Sequence, residues 1–330
     1  MLIIRRIAMN SLVQTNNYQP DILGAGYQGL TIQLPDDAEG KVICTLVRKQ
    51  AEHKTNKAVL YVHGFVDYFF QTEMAERFNQ HGFDFYALDL RKYGRSYLPH
   101  QTMYKVHDIA EYNADLHAAL NQIAIEDHDQ VLLCGHSTGG LTTTLFAAHH
   151  PQHPLIKALW LNSPFYDFNM RAFEKKYLVP QIAKLGRKFP DLQFPSRLNK
   201  WYVPSLHQMY HGEWRFNLEW KKPSMPFVPL SFVSAIYEAQ KEIHQGLKLT
   251  VPTLIMHSHQ TKYPLRFNQA AQSSDVILNV KDMIEHGQKF HGDVSFSEIH
   301  NALHDVVLSK RTVREQAYSA LFAWLRDKGI

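Results

Sequence analysis

From residue 58 onward the chain alternates between two apolar patterns. A short continuous apolar run occurs at residues 58–62, and further strand-like runs at 83–90, 131–134, 158–161 and 252–256. They have the length and solidity of strands buried on both faces. Between them apolar residues recur at helical spacing: Phe70, Met74 and Phe78; then Ile109, Leu116, Leu120 and Ile123; then Leu141, Leu145 and Ala148. Strands alternating with helices predict a mostly parallel central sheet with helices on both faces. Ahead of this region, residues 27–34 and 41–48 flank a turn at Pro35-Asp36-Asp37 and Glu39-Gly40, the grammar of an antiparallel hairpin. The chain closes with a strand over 294–299 and an amphipathic helix carrying Val313, Leu321, Trp324 and Leu325.

The alternation stops after Pro164 and resumes at Pro252. The segment between is rich in aromatic residues and prolines and includes Trp201, Trp214 and Trp220. An insertion between two sheet strands, forming a cap, is the economical reading. It divides the chain into a first core part (1–164), a cap (165–250) and a second core part (251–330). A chain of 330 residues suits one large domain with such an insertion.

Composition narrows the class. With 45% hydrophobic and 20% charged residues and a net charge of +4, the chain reads as a globular protein, and no block of like charges points to a nucleic-acid partner. Cys44 and Cys134 both fall inside strand-like runs, as buried free thiols of a reducing compartment would. The amino terminus, MLIIRRIAMNSLV, has a basic pair but no secretory apolar core, and no apolar span of about 18 residues occurs. The expectation is a cytoplasmic protein with no integral membrane segment.

The chemistry gathers around Gly135-His136-Ser137-Thr138-Gly139, where a strand turns directly into a helix. In that context the turn is tight enough to strain the serine backbone, and the glycines remove Cβ atoms that would clash with strand and helix. Ser137 then stands at the sheet's C-terminal edge beside a helix N-terminus, where backbone N–H groups can face an oxyanion. A serine hydroxyl needs a base, and the base a carboxylate. His304, in the loop between the last strand and the final helix, is favoured as base over His300, which lies closer to the strand body. The acid is expected soon after the 252–256 strand, yet the next carboxylates are Asp275 and then Asp282. Asp275 opens an apolar Asp-Val-Ile-Leu stretch and is preferred; Asp282 starts a helix-like stretch, where an acid already suits the dipole. In the loop after residues 58–62, Gly64 allows close approach, so the Phe65 N–H can pair with that of Thr138 as an oxyanion hole.

With these residues in place the chain resembles the α/β-hydrolase superfamily, in the branch holding monoacylglycerol lipases, lysophospholipases and the serine aminopeptidase S33 group. The resemblance rests on His63-Gly64-Phe65, Gly135-His136-Ser137-Thr138-Gly139, Ala302-Leu303-His304-Asp305 and Asp89-Leu90-Arg91-Lys92-Tyr93-Gly94-Arg95-Ser96. In the last of these Lys92 replaces the usual glycine. The resemblance implies Ser137 as nucleophile, His304 as base, Asp275 as acid, and Phe65 and Thr138 as oxyanion donors. The stretch between Ser258 and Asp275 departs from the family, whose acid follows its strand within a few residues.

The expected activity is hydrolysis of carboxylic esters, with an acyl or lipid-like group held under the cap and no cofactor. Phe165, Tyr166, Phe168 and Met170, with Met209, Met225 and Phe227, are candidates for an apolar pocket, or for packing of cap on core. An aminopeptidase is the alternative; it needs a carboxylate for the substrate amine, and Glu174, Glu213 and Glu219 are the cap's glutamates. A non-catalytic relative on the same fold is the third reading, disfavoured because all three triad members are available. Dehalogenase chemistry needs an aspartate in place of Ser137. His257 and His259 lack a third ligand at metal-site spacing, so no metal is expected. A homodimer would form through edge strands or cap surfaces, without a specific sequence signal.

Overall fold

The computed structural model describes residues 17–330. The basic pair and short apolar pieces of the amino terminus lie outside the described residues. Among the described residues the runs read as buried strands belong to one nine-stranded sheet. Its members are β1 (Gln19–Pro20), β2 (Gln28–Asp37), β3 (Gly40–Lys49), β4 (Lys57–Val62), β5 (Asp84–Asp89), β6 (Gln130–His136), β7 (Ile156–Asn162), β10 (Thr253–Ser258) and β11 (Val294–Ile299). The order across the sheet is β1-β2-β3-β5-β4-β6-β7-β10-β11. From β5 to β11 every pairing is parallel; β1, β2 and β3 join antiparallel at one edge. The expected sheet is therefore present, with its antiparallel hairpin placed on the outside.

The solid apolar runs follow from this position. Strand β4 is buried from Ala58 to Val62, and β5 along its whole length, because helices cover both faces. One face packs α2 (Tyr112–Ile125) and α3 (Thr138–His149) through Leu116, Leu120, Leu141 and Leu145. The other packs α1 (Thr72–Gln80) and α8 (Arg311–Asp327) through Met74, Phe78, Leu321 and Leu325. Two helices start later than their apolar spacing predicts. Phe70 precedes α1, and Ile109 lies in a separate turn opened by a capping box between Asp108 and Glu111.

Between β7 and β10 the chain makes a long excursion. It holds α4 (Val179–Lys188), the short strand β8 (Gln193–Pro195), α5 (Tyr202–Leu206), the strand β9 (Phe227–Pro229) paired antiparallel with β8, and α6 (Leu230–Gln245). Helix α6 seats Phe232, Ile236 and Ile243 in the same apolar cluster as Leu145 and Phe146 of α3. The excursion is thus anchored on the helix that follows Ser137. One further helix, α7 (Val280–Gly287), precedes β11. Among the described residues no helix is long and apolar enough to cross a membrane.

Candidate active site

Ser137 sits between β6 and α3 with φ 54° and ψ −116°, a backbone conformation that a residue with a side chain adopts only under constraint. The constraint is visible in its neighbours. A Cβ on Gly135 would lie 2.3 Å from Thr143 Oγ1, and one on Gly139 would lie 2.3 Å from the Val62 carbonyl oxygen. Strand and helix can meet this closely only through glycine.

The structure brings Ser137, His304 and Asp275 into one chain of contacts. His304 Nε2 lies 3.0 Å from Ser137 Oγ, and His304 Nδ1 lies 2.8 Å from Asp275 Oδ2. With the carboxylate accepting from Nδ1–H, Nε2 is left with a lone pair facing the hydroxyl. All three side chains are buried. The second Asp275 oxygen accepts the Ile277 and Leu278 backbone N–H groups, both at 2.8 Å, which fixes the carboxylate plane.

Asp275 reaches this place despite the extra residues before it. The excursion after β10 returns on itself: Asp275 N–H donates to the Gln260 carbonyl, and Lys262 N–H to the Asp275 carbonyl, both at 3.0 Å. The inserted stretch is a closed side loop, so Asp275 returns beside Gln260 and Lys262, just after the end of β10. Asp282 lies elsewhere, in the first turn of α7, with Lys175 Nζ at 2.6 Å. His300 is exposed beside Glu298 and stacks on His259.

Phe65 follows Gly64, where an added Cβ would come within 3.0 Å of the Ser137 Cβ, so this loop runs directly beside the serine. Thr138 is the first residue of α3, and its N–H has no intrahelical acceptor. His63 serves the loop's geometry. Its Nδ1 meets the Gly64 carbonyl at 2.8 Å, its Nε2 accepts the Leu90 N–H at 3.1 Å, and burial lowers its pKa. His136, whose Nδ1–H points at the Asn162 carbonyl at 3.1 Å, is lowered to about 4 by burial, helped by His304 nearby.

Two supporting residues, Asn162 and Tyr202, carry little sequence signal. Asn162, at the end of β7, donates to Asp305 at 2.7 Å and accepts the Val306 N–H at 3.2 Å, pinning the loop that holds His304. Tyr202 packs its ring edge-on to the His304 imidazole, centroids 5.6 Å apart. Lys92 takes φ 65°, the left-handed conformation that makes glycine the usual residue there, and its buried ammonium meets Asp37 at 2.6 Å and Glu39 at 2.7 Å.

A cavity of about 550 Å³ opens onto Ser137 beneath the excursion. Phe65, Thr138, Phe165, Phe168, Met170 and Ile236 line it, with Asn169, Asn199, Arg197 and Tyr263 as polar neighbours; among the described residues no aspartate or glutamate lines it. Tyr166 corrects an expectation: it is buried away from the cavity, its hydroxyl 2.9 Å from that of Thr144 and its ring against Phe290. Met209, Met225 and Phe227 are exposed. Glu174 pairs with Arg197, Glu213 with Arg314, and Glu219 is exposed.

Among the described residues one cluster gathers metal-type donors. Asp167, His244 and His286 bring one atom each within 4.8 Å of one another. Lys175 already bridges Asp167 and Asp282 at 2.7 and 2.6 Å, however, and the two imidazoles stack 3.9 Å apart at 12°. Their in-plane lone pairs lie in parallel planes and do not meet at one point, as coordination requires. His257 and His259 do not join it: His257 Nδ1 meets the Ser258 carbonyl, and His259 Nδ1 accepts the Asn301 N–H.

Comparison with known proteins agrees with this architecture. A soluble variant of monoglyceride lipase from Saccharomyces cerevisiae superposes with a TM-score of 0.66 at 15% identity, covering 90% of this chain and 94% of that one. The monoacylglycerol lipase of Paleococcus ferrophilus gives 0.62 at 18% identity, covering 86% and 99%. Est1E of Butyrivibrio proteoclasticus, solved with ferulic acid, gives 0.59 at 16% identity, covering 90% and 98%. No curated protein matches the sequence. The family described as serine aminopeptidase, S33, matches residues 53–307. The chain belongs to that family and has the α/β-hydrolase fold.

Proposed function

We propose that this protein is a serine hydrolase of carboxylic esters, with residues 165–250 as its cap and the apolar cavity as its acyl site. The observation that carries the reading is the Ser137–His304–Asp275 chain at one end of an apolar cavity whose described lining includes no carboxylate. Ser137 Oγ attacks the ester carbonyl while His304 Nε2 takes the hydroxyl proton. Asp275 holds the imidazole in the tautomer that leaves Nε2 free and stabilises the imidazolium that forms. The carbonyl oxygen gains charge between the Phe65 and Thr138 N–H groups, where one donor is worth roughly 3–4 kcal/mol. The protonated His304 then gives its proton to the leaving alcohol, and a water activated by the same imidazole hydrolyses the acyl-enzyme.

Aminopeptidase activity, the alternative suggested by the family's description, requires a negative group for the substrate's terminal ammonium. Among the described residues the sole charged side chain lining the cavity is Arg197, and the nearby Glu174 carboxylate is already engaged by it at 3.1 Å. That favours an ester with a long apolar acyl part over a peptide amine.

Fluorophosphonate labelling of the wild type and of Ser137→Ala, with p-nitrophenyl ester and aminoacyl-anilide panels, tests the reading. Labelling lost in S137A, with ester turnover by the wild type, is the expected result. An unlabelled wild type without turnover would sink it, and anilide cleavage without ester cleavage would select the peptidase.

A further inference from the structure

We propose that Lys221 of the cap and Asp67 of the loop after β4 form a positioning pair that holds the Phe65 N–H at the site of oxyanion development. The inference rests on the hydrolase reading above. Lys221 Nζ lies 2.6 Å from Asp67 Oδ2, and both side chains are almost wholly removed from solvent, at 2% and 1% exposure. Asp67 stands two residues after Phe65, and the residue between them, Val66, has φ 53°. A β-branched side chain makes that conformation costly, so it persists only where surrounding contacts impose it.

Asp89 of the core accepts the Phe69 N–H at 2.9 Å and Arg95 donates to the Phe69 carbonyl at 3.0 Å; the remaining contacts come from one short piece of the cap. Besides the ion pair, Asn217 N–H donates to the Tyr68 hydroxyl at 2.6 Å. The Trp220 ring meets Tyr68 edge-on at 5.0 Å, and Phe216 packs on Phe70 at 4.6 Å. Cap residues 216–221 are thereby fastened to residues 67–70, directly after the oxyanion loop. The ammonium also lies over the Tyr202 ring, 5.4 Å from its centroid, and Tyr202 in turn packs on His304. A buried ion pair is seldom the most stable filling for such a site, and its attested use is to select one arrangement over others. Here the arrangement selected is the bent Phe65-Val66-Asp67 backbone with the cap seated on it.

The test compares an alkyl trifluoromethyl ketone, whose adduct with Ser137 places an oxyanion in the hole, with the fatty alcohol of equal chain length, which places none. Lys221→Met and Asp67→Asn are each expected to lose about ten- to hundredfold in ketone affinity and in fluorophosphonate labelling rate. Alcohol affinity should stay within about threefold, since neither Lys221 nor Asp67 lines the acyl cavity. The double variant K221M/D67N leaves no buried charge unpaired, so it carries the test if a single variant fails to fold, and the same selective loss is expected. Arg187→Ala, which removes an exposed ion pair of the cap, should leave both affinities unchanged. Variants that keep wild-type ketone affinity, or lose ketone and alcohol equally, would overturn the positioning role while leaving the hydrolase reading intact. A wild type inert to fluorophosphonate and ketone would overturn both.

Discussion

Asp275 Oδ2 meets His304 Nδ1 at 2.8 Å even though the strand that should deliver the acid ends at Ser258. The intervening loop closes on itself, so the carboxylate is held as firmly as by a short connection. Asp275→Asn keeps the shape but loses the charge and the acceptor that select the useful tautomer. It should lower kcat for esters by about a thousandfold or more. Asp282→Asn removes a partner of Lys175 at a distance from His304 and should leave kcat within about threefold. Parallel kinetics of the two variants decide the matter, and a larger loss in D282N would reverse the assignment.

Gly139 gives a stability test of the serine turn. An alanine Cβ there meets two backbone carbonyls, those of Val62 and His63, at 2.3 and 2.4 Å, and neither can swing aside. Gly139→Ala should cost at least about 2 kcal/mol, as overpacking of a closed site does. Gly82→Ala has open space around its added methyl and suffers only from φ 79°, so about 1 kcal/mol is expected. Urea unfolding of both variants checks the order, and equal losses would remove the steric account of the turn.

Much of this fold is legible in the sequence. The sheet was legible because its central strands, buried on both faces, must be solid apolar runs, as at residues 58–62. Ser137 and His304 were legible because each stands where a strand ends, and tight turns constrain residue choice. Asp275 is the weakest of the three in sequence, resting on its apolar neighbours, on the helix-start reading of Asp282 and on the family resemblance, since a loop that returns to its start looks in sequence like a displacement. Tyr166 does not line the cavity, and the sequence hides this because an aromatic beside a cavity and one packed beneath it have the same letter; its hydroxyl lies 2.9 Å from that of Thr144. The Lys221–Asp67 pair was invisible, because nothing in sequence tells which of many charged residues will find each other across a cap.

The cavity predicts chain-length selectivity. Ile236 lines it from α6, and Ile236→Trp is expected to take space from a long acyl chain. Losing burial of two methylenes, at about 0.8 kcal/mol each, lowers kcat/KM for long-chain esters by about tenfold. Acetyl and butyryl esters should change less than threefold. A p-nitrophenyl ester series on both proteins measures it, and uniform loss across chain lengths would place the acyl group elsewhere.

His136 makes the fold sensitive to mild acid. Its pKa stands near 4 in the folded protein because burial disfavours the charged ring, against 6.5 for an unconstrained histidine. Above pH 6.5 the ring is neutral in both states and exerts no pull. Between pH 6.5 and 4 the unfolded chain binds a proton that the folded protein refuses, so stability falls as pH falls. Across that window the loss amounts to roughly 3 kcal/mol, at about 1.4 kcal/mol per pKa unit. The substitution His136→Asn supplies an amide that can still donate to the Asn162 carbonyl but cannot titrate. Urea midpoints of wild type and H136N between pH 4.5 and 7 should therefore converge, or cross in favour of the variant, as pH falls. Other buried titrating groups such as Asp115 are common to both proteins and cancel in the comparison. Stability curves that run parallel through the window would show that His136 takes up its proton without resistance, and that its burial beside His304 is not what sets its charge.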